Sequence, residues 1–240
     1  MKLAADTQPY LDGSQFASTL RTRLQITPDD ARVMTRREML TDYVRGKQVI
    51  HVGCVDHDVA SITHKIARDH WLHKLLNDEA DRCLGLDINE TGIAYIRDEL
   101  GFEDVETVDI FERPSELAMA QSWDAMILAE VVEHFDDPVS YLRKIHAFYG
   151  EKVGELVVTV PNAFKERNFQ GAKRHVEAIN SDHRYWFTPY TISKVLVMAG
   201  FTVDDIIMTV RKRYGLVRGL RQRRYPLLRN GITVIAKFQG

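Results

Sequence analysis

Cysteines and long apolar runs are both scarce in this sequence. Its 240 residues include only two cysteines, Cys54 and Cys83, which form neither a metal-ligand spacing nor a disulfide framework. Such usage is typical of proteins in a reducing compartment. No apolar run reaches the roughly 18 residues that a membrane helix requires, and residues 1–14 lack the basic and apolar regions of a signal peptide. We therefore expect a cytoplasmic protein without membrane insertion.

The sequence also lacks a large net charge. Its 32 basic and 34 acidic residues give a formal charge of −2, which excludes a global attraction to nucleic acid or membranes. The exception is the basic segment, residues 211–229, which holds eight basic residues and no acidic one and leaves 24 basic and 34 acidic residues elsewhere, a charge of −10. Three interpretations stay open for it: a site for an anionic acceptor, a contact with RNA, or a solvated or oligomer-forming loop.

Two short apolar runs carry the first functional signal. Residues 49–53 end at Gly53, and residues 84–87 end at Asp87. A strand, a glycine turn and a helix, followed by a strand that ends in an acid, is how α/β folds hold adenosine-containing ligands. The glycine lets the backbone approach the ligand, and the carboxylate offers acceptors to both ribose hydroxyls. The pattern predicts a nucleoside-type cofactor.

The hydrophobic pattern predicts an α/β fold. Strands alternate with helices as far as residue 160, which indicates right-handed βαβ units and a parallel sheet. Two last strands, 201–210 and 231–238, are joined by a long loop without a clear helix and predict an antiparallel hairpin at the sheet edge. Ahead of the sheet we expect a short helix near 16–24 and a helix over 28–45 that Gly46 ends.

Five segments in this order resemble the class I S-adenosylmethionine-dependent methyltransferases over roughly residues 46–240. Residues 128–138, Leu-Ala-Glu-Val-Val-Glu-His-Phe-Asp-Asp-Pro, are similar to the fourth-strand ending of small-molecule O-methyltransferases, including those of quinone biosynthesis. The resemblance implies a Rossmann-like, doubly wound sheet of seven strands, mostly parallel with a C-terminal antiparallel hairpin. It also implies an N-terminal helical lid segment, residues 1–46, and a catalytic domain, residues 47–240. The other segments are 49–57, 84–87, 108–110, and 158–162 followed by 183–188.

The sequence departs from this family in its glycine turn. The usual Gly-x-Gly-x-Gly is replaced by Gly53-Cys54-Val55-Asp56-His57, which has one glycine. Gly53 and Asp87 also lie 34 residues apart, against roughly 20 in a simple nucleotide-binding unit. About a dozen extra residues therefore lie between positions 56 and 71.

The resemblance implies a cofactor site for S-adenosylmethionine, with S-adenosylhomocysteine as its product. Asp87 would accept from the ribose, and its alternative role is to cap the next helix. Asp109 would face the adenine amino group, or else be a solvated loop acid, and Asp56 and His57 would bind the methionine end or cap a helix. The expected cofactor-binding residues are Gly53, Cys54, Asp56, His57, Asp87, Ile88, Asp109, Ile110, Ala129 and Glu130.

Histidines are the candidates for catalysis. A methyl transfer to a hydroxyl releases a proton, and imidazole ionises near neutral pH. We expect His134 to be the general base, with His183 second, while His175 and Asp182 are further candidates from a region that often covers the substrate. The alternative for His134 is to orient a loop or contact the cofactor.

No metal is expected from the sequence. His134 with Asp136 and Asp137 offers one set of ligands for a divalent cation, but no His-Glu-x-x-His or Cys-x-x-Cys motif is present. His70 and His73 are three residues apart on a predicted helix without an evident partner.

These observations predict an enzyme, an S-adenosylmethionine-dependent methyltransferase that O-methylates a saccharide or another anionic small molecule. Two alternatives stay open. One is an RNA methyltransferase that uses the basic segment. The other is a non-catalytic cofactor-binding or regulatory protein of the same fold, in which the altered turn has abolished transfer.

Overall fold

The computed structural model describes residues 1–212 and 215–238, without the side chains of residues 216–218. The part before the main sheet is built from short elements. Its two strands pair antiparallel with each other. The elements are β1 (Lys2–Leu3), α1 (Gln8–Leu11), β2 (Leu24–Gln25), a 3-10 turn (Pro28–Ala31) and α2 (Arg36–Val44).

Seven strands form the main sheet in the order β5-β4-β3-β6-β7-β9-β8. The first five are parallel, and β9 runs antiparallel to both β7 and β8. At the centre, Ile50 is in register with Leu84 on one side and Met126 on the other. The strands are β3 (Gln48–Val52), β4 (Arg82–Asp87), β5 (Val105–Thr107), β6 (Trp123–Ala129), β7 (Val153–Pro161), β8 (Phe201–Thr209) and β9 (Gly231–Phe238).

Helices cover both faces of this sheet, because the central strands are apolar on both sides. Ile50 and its neighbours of the same parity face one buried cluster, whereas Val49 faces another that holds Met39 and Leu40 of α2. The remaining helices are α3 (Val59–Ile66), α4 (Leu72–Glu79), α5 (Glu90–Asp98), α6 (Glu116–Met119), α7 (Pro138–Tyr149), α8 (Glu166–Ala172), α9 (Pro189–Met198) and α10 (Leu216–Arg224). The predicted seven-stranded, Rossmann-like α/β fold is confirmed.

The prediction of one helix over 28–45 is wrong. The 3-10 turn at Pro28–Ala31 is followed by extended backbone, in which Thr35 forms a parallel bridge with Val210. α2 begins only after Thr35, whose hydroxyl accepts a hydrogen bond from the N–H of Glu38. A long-range backbone pairing has therefore replaced the middle of the predicted helix.

Other differences lie in the connections. No helix forms near 16–24, where β2 pairs with β1 instead. The loop of the C-terminal hairpin contains α10, and β9 lies inside the sheet, so that β8 is the edge strand. Within the described part of the chain, none of the helices has the length and apolarity needed to cross a membrane.

Candidate functional site

The turn after β3 has positive φ at Gly53 and at two residues that are not glycine. The φ angle is +79° at Gly53, +59° at Asp56 and +80° at His57. For a residue with a Cβ atom such a conformation costs about 1–3 kcal/mol and persists only where the surroundings enforce it. Here Lys65 forms an ion pair with Asp56, and the Asn89 amide donates to the His57 carbonyl oxygen at 3.2 Å. Side-chain contacts thus hold the turn in place of the missing glycines.

The extra residues between this turn and β4 form α3 and α4, which pack beneath it. The Trp71 indole N–H donates to the carbonyl oxygen of Cys54 at 3.0 Å. His73 is fully buried and stacks on His51 with 3.3 Å between their Nδ1 atoms, so it does have a partner. Burial lowers the pKa of His73 to about 4. Burial also raises the pKa of the Cys54 thiol, which stays protonated.

Asp87 ends β4 with both carboxylate oxygens oriented by the backbone. Its Oδ2 accepts from the N–H of Val55 at 2.9 Å, and its Oδ1 accepts from the N–H of Asn89 at 3.0 Å. A carboxylate oxygen accepts more than one hydrogen bond, so both oxygens keep capacity for two ligand hydroxyls. The next residue, Ile88, leaves 71% of its surface exposed. A fixed acid beside an uncovered apolar side chain suits a ribose and its attached base.

A cavity of about 1260 Å³ opens at the carboxyl edge of β3, β4 and β6, where ligands bind in sheets of this kind. Asp109 is not among the residues that line it. Its side chain is exposed and accepts a hydrogen bond from the N–H of Phe111 at 2.9 Å. The cavity is lined by the other residues expected at the site, namely Gly53, Cys54, Asp56, His57, Asp87, Ile88, Ile110, Ala129, Glu130, His134 and His183.

Glu130 connects this cavity to α2. It follows β6 with a φ of +60°. Its Oε1 lies 3.3 Å from Nη1 of Arg36 and accepts from the Thr159 hydroxyl at 3.3 Å. Thr35, Arg36 and Arg37 also line the cavity, so the start of α2 contributes charge to one wall.

Glu133, His134 and His183 form a cluster at the same edge. Glu133 is fully buried, and neither of its carboxylate oxygens has a hydrogen-bond partner within the described residues. Oε1 of Glu133 lies 3.9 Å from Nε2 of His183, and the rings of His134 and His183 meet edge-to-face at 4.7 Å. Burial raises the pKa of Glu133 to about 8, and the Glu130 carboxylate adds to this. Burial lowers the pKa of His183, as does the neighbouring His134.

The segment before α9 holds His183 in this cluster. The N–H of Arg184 donates to the carbonyl oxygen of Glu133 at 2.9 Å, and its guanidinium donates to that of His134 at 2.6 Å. The Tyr185 hydroxyl donates to the carbonyl oxygen of Asp136 at 2.8 Å. These bonds hold together two segments whose bonded residues lie 49 to 51 positions apart in the sequence.

The remaining candidates from the sequence differ in their positions relative to the cavity. His175 is exposed and does not line the cavity, whereas Asp182 does. The Asp136 carboxylate pairs with Arg184, and the Asp137 carboxylate accepts from the N–H of Ser140 at the start of α7. Both aspartates are therefore engaged away from His134. Sequence reasoning gave Glu133 no role, although the run Glu130-Val131-Val132-Glu133-His134 was a signal for it.

The residues of the basic segment have different structural environments. Arg229 is buried and donates to the carbonyl oxygens of Gln222, Met208 and Asp30 at 3.1, 2.9 and 2.6 Å. Arg221 forms an ion pair with Glu166. Of the remainder, Arg211 and Lys212 line the cavity, Arg223 and Arg224 are exposed, Arg213 lies outside the described residues, and the side chain of Arg218 is not described.

The comparisons with known proteins decide the family. The family model described as "Methyltransferase domain" matches residues 35–206, more than two thirds of the chain. The chain belongs to the class I S-adenosylmethionine-dependent methyltransferases. The predictions of family and of a methyltransferase are confirmed, and S-adenosylmethionine is the cofactor that this membership carries. No curated protein matches the chain.

Solved methyltransferase structures share its fold. The small RNA methyltransferase HEN1 has a TM-score of 0.56 at 16% identity, covering 85% of this chain and 25% of that one. Magnesium protoporphyrin IX methyltransferase from Synechocystis PCC 6803 with bound SAH has a TM-score of 0.53 at 14% identity, covering 98% and 94%. An S-adenosylmethionine-dependent methyltransferase from Aquifex aeolicus has a TM-score of 0.50 at 13% identity, covering 90% and 100%. At these identities the likeness is one of fold alone.

Proposed function

We propose that this methyltransferase transfers a methyl group to an oxygen of a small anionic molecule, such as a saccharide that carries phosphate. One observation carries the proposal: a single cavity joins the turn and acid of a nucleoside site to a histidine pair and to cationic side chains. The cationic side chains of the cavity wall include Arg37, Lys165, Arg167, Arg211 and Lys212.

The cofactor end of the cavity fits S-adenosylmethionine. Asp87 accepts from the two ribose hydroxyls, since its oxygens are already oriented by backbone N–H groups. Ile88 and Ile110 pack on the adenine, and the open backbone at Gly53 lies beside the methionine end. When bound, the cofactor supplies a methyl group on a positively charged sulfonium. We retain Asp109 as a contact to the adenine amino group, which requires its side chain to turn from Phe111.

The acceptor end holds the histidines and the cations. His134 and His183 are placed to take the proton that the acceptor hydroxyl releases. Lys165 is half-buried above the Trp186 ring, and burial lowers its pKa, as does Arg167. A cation in a partly desolvated site attracts an anionic acceptor more strongly than one in water. Residues 1–46 act as the lid, because the start of α2 already forms one wall.

Transfer assays test this proposal. Phosphorylated and nucleotide-linked sugars are offered with S-adenosylmethionine, and formation of S-adenosylhomocysteine is measured. His134→Gln and His183→Gln are expected to lower kcat by about 10²–10⁴-fold if they take the proton. The matched control His175→Gln, outside the cavity, leaves kcat unchanged.

Other outcomes separate the alternatives. Methylation of RNA, together with an affinity of the protein for RNA that falls steeply as the salt concentration rises, would show that the acceptor is RNA and not a small molecule. Tight cofactor binding with transfer to none of the acceptors offered would favour a non-catalytic, regulatory protein.

A further inference from the structure

The buried position of the Glu133 carboxyl group costs free energy. It is fully buried, and both of its oxygens lack a hydrogen-bond partner among the residues that the structure describes. A buried polar group without a partner costs free energy, and a buried carboxylate costs more. Native proteins resolve this by a proton on the carboxyl, by a buried water, or by a cation beside it. The groups around Glu133 distinguish these possibilities.

Two histidine nitrogens face the same point as Glu133. One ligand atom from each of Glu133, His134 and His183 lies within 4.8 Å of the other two. The second ring nitrogen of His183, Nδ1, is also buried without a described partner. A buried acid beside two imidazoles, which are ligands when neutral, has the composition of a cation site. The three atoms, which lie within 4.8 Å of one another, need to move closer to share an ion about 2.1 Å from each of them.

We propose that Glu133, His134 and His183 bind one divalent transition-metal ion. One carboxylate and two imidazoles suit manganese, iron, cobalt or zinc rather than magnesium, which prefers oxygen ligands. Docking of Arg184 on the carbonyl oxygens of Glu133 and His134 holds the third ligand in place. This proposal replaces the expectation of no metal, and it uses neither Asp136 nor Asp137.

The position of the site assigns the ion a role at the acceptor. His134 and His183 line the cavity, and three protein ligands leave coordination positions open for a further ligand. We place the acceptor hydroxyl there, a step that rests on the proposed function. Coordination lowers the pKa of a bound hydroxyl. In this arrangement the ion replaces the histidine base, because both histidines are bound to it. The O–H bond of the acceptor breaks, the proton passes to water, and the electron pair stays on the oxygen that attacks the methyl group.

Titration with the metal alone tests the site without any acceptor. The protein is stripped with a chelator and titrated with Co²⁺, whose visible absorption reports nitrogen ligands and coordination number, and with Mn²⁺ by calorimetry. We expect one ion per chain, and at least tenfold weaker binding in Glu133→Gln and in His183→Gln. The control His175→Gln, a histidine outside the cavity, keeps the affinity of the unmodified protein.

Several results would overturn the proposal. They are no spectral change on addition of Co²⁺ to the unmodified protein, or equal affinity in Glu133→Gln. A variant that fails to fold is recognised by its circular dichroism, and the Co²⁺ spectrum of the unmodified protein then decides alone. Titration of each variant with S-adenosylhomocysteine is read separately, so a failed metal site is distinguished from a failed cofactor site.

Discussion

Gly92 of α5 lies directly against Val55 of the cofactor turn, so that a Cβ atom on Gly92 would lie 2.3 Å from Cγ1 of Val55. Val55 occupies the place of the middle glycine in the family's usual turn, and its side chain is buried. The close approach between turn and helix is thus kept with the glycine on the opposite side of the contact.

This relationship predicts the effect of Gly92→Ala. Because a Cβ atom would lie only 2.3 Å from Val55, the added methyl group costs about 2–3 kcal/mol, the upper part of the range for overpacking, which exceeds the roughly 1 kcal/mol that alanine gains in helix propensity. Cofactor affinity falls too, because the N–H of Val55 orients Asp87. Urea unfolding measures the free energy of unfolding of each variant. In the double variant Gly92→Ala/Val55→Ala, the total loss of stability should be smaller than the sum of the two single losses. Equal stability of Gly92→Ala and the unmodified protein would refute the contact.

The positive φ of His57 predicts a stabilising substitution. His57 is exposed, so His57→Gly removes little packing and relieves the conformational cost of a Cβ atom at a φ of +80°. We expect an increase of about 1 kcal/mol in the free energy of unfolding. His57→Ala is the control and should leave it nearly unchanged, since alanine keeps the Cβ atom. A gain in both variants, or in neither, would contradict the assigned strain.

His73 predicts an acid-sensitive stability. Its pKa falls from 6.5 to about 4 on folding because of burial, so the unfolded chain binds more protons between these values. Stability is therefore full above pH 6.5 and declines as pH falls toward 4, by on the order of 2–4 kcal/mol. Unfolding at pH 7.5 and 5 should show a smaller decline in His73→Gln. The exposed control His70→Gln should decline as the unmodified protein does, and an undiminished decline in His73→Gln would reject the assignment.

Arg229 predicts a structural role inside the basic segment. Its guanidinium donates two buried hydrogen bonds and one partly buried hydrogen bond to carbonyl oxygens, and removing a buried donor costs about 1–3 kcal/mol for each group left unpaired. Arg229→Gln should therefore lower stability by several kcal/mol, whereas the exposed Arg224→Gln should change it little. Thermal unfolding of the two variants makes the comparison. Equal effects of the two substitutions would indicate that Arg229 is a solvated or ligand-binding residue and not a structural one.

Local patterns were enough to predict the sheet and the alternation of its strands with helices. β6 and α7 follow from the local sequence, because β6 is a continuous apolar run and α7 is delimited by Asp137, Pro138 and Gly150. The break before α2 was not predictable locally, since it depends on a bridge between residues 35 and 210. α10 was not predicted, because its sequence is rich in basic residues and was interpreted as a loop.

The candidate site also contains residues that local sequence predicts and residues that only the folded chain brings together. The sequence pattern identified Gly53, Asp87 and His134, because each directly follows an apolar strand or its turn. The cluster around Glu133 depends on a separate segment, which brings His183 to 3.9 Å from the Glu133 carboxyl although the two residues lie 50 positions apart. Burial and the lack of a hydrogen-bond partner are properties of the folded chain, so no motif alone reveals them.

The central claim is that Asp87 and the altered turn hold S-adenosylmethionine, and calorimetric titration tests it most directly. The unmodified protein, Asp87→Ala and the control Asp98→Ala, an exposed acid on α5, are titrated with S-adenosylmethionine and S-adenosylhomocysteine. We predict micromolar binding by the unmodified protein and by the control, and at least a tenfold loss, about 1.4 kcal/mol, in Asp87→Ala. Absence of binding in the folded, unmodified protein, or full affinity in Asp87→Ala, would contradict the claim.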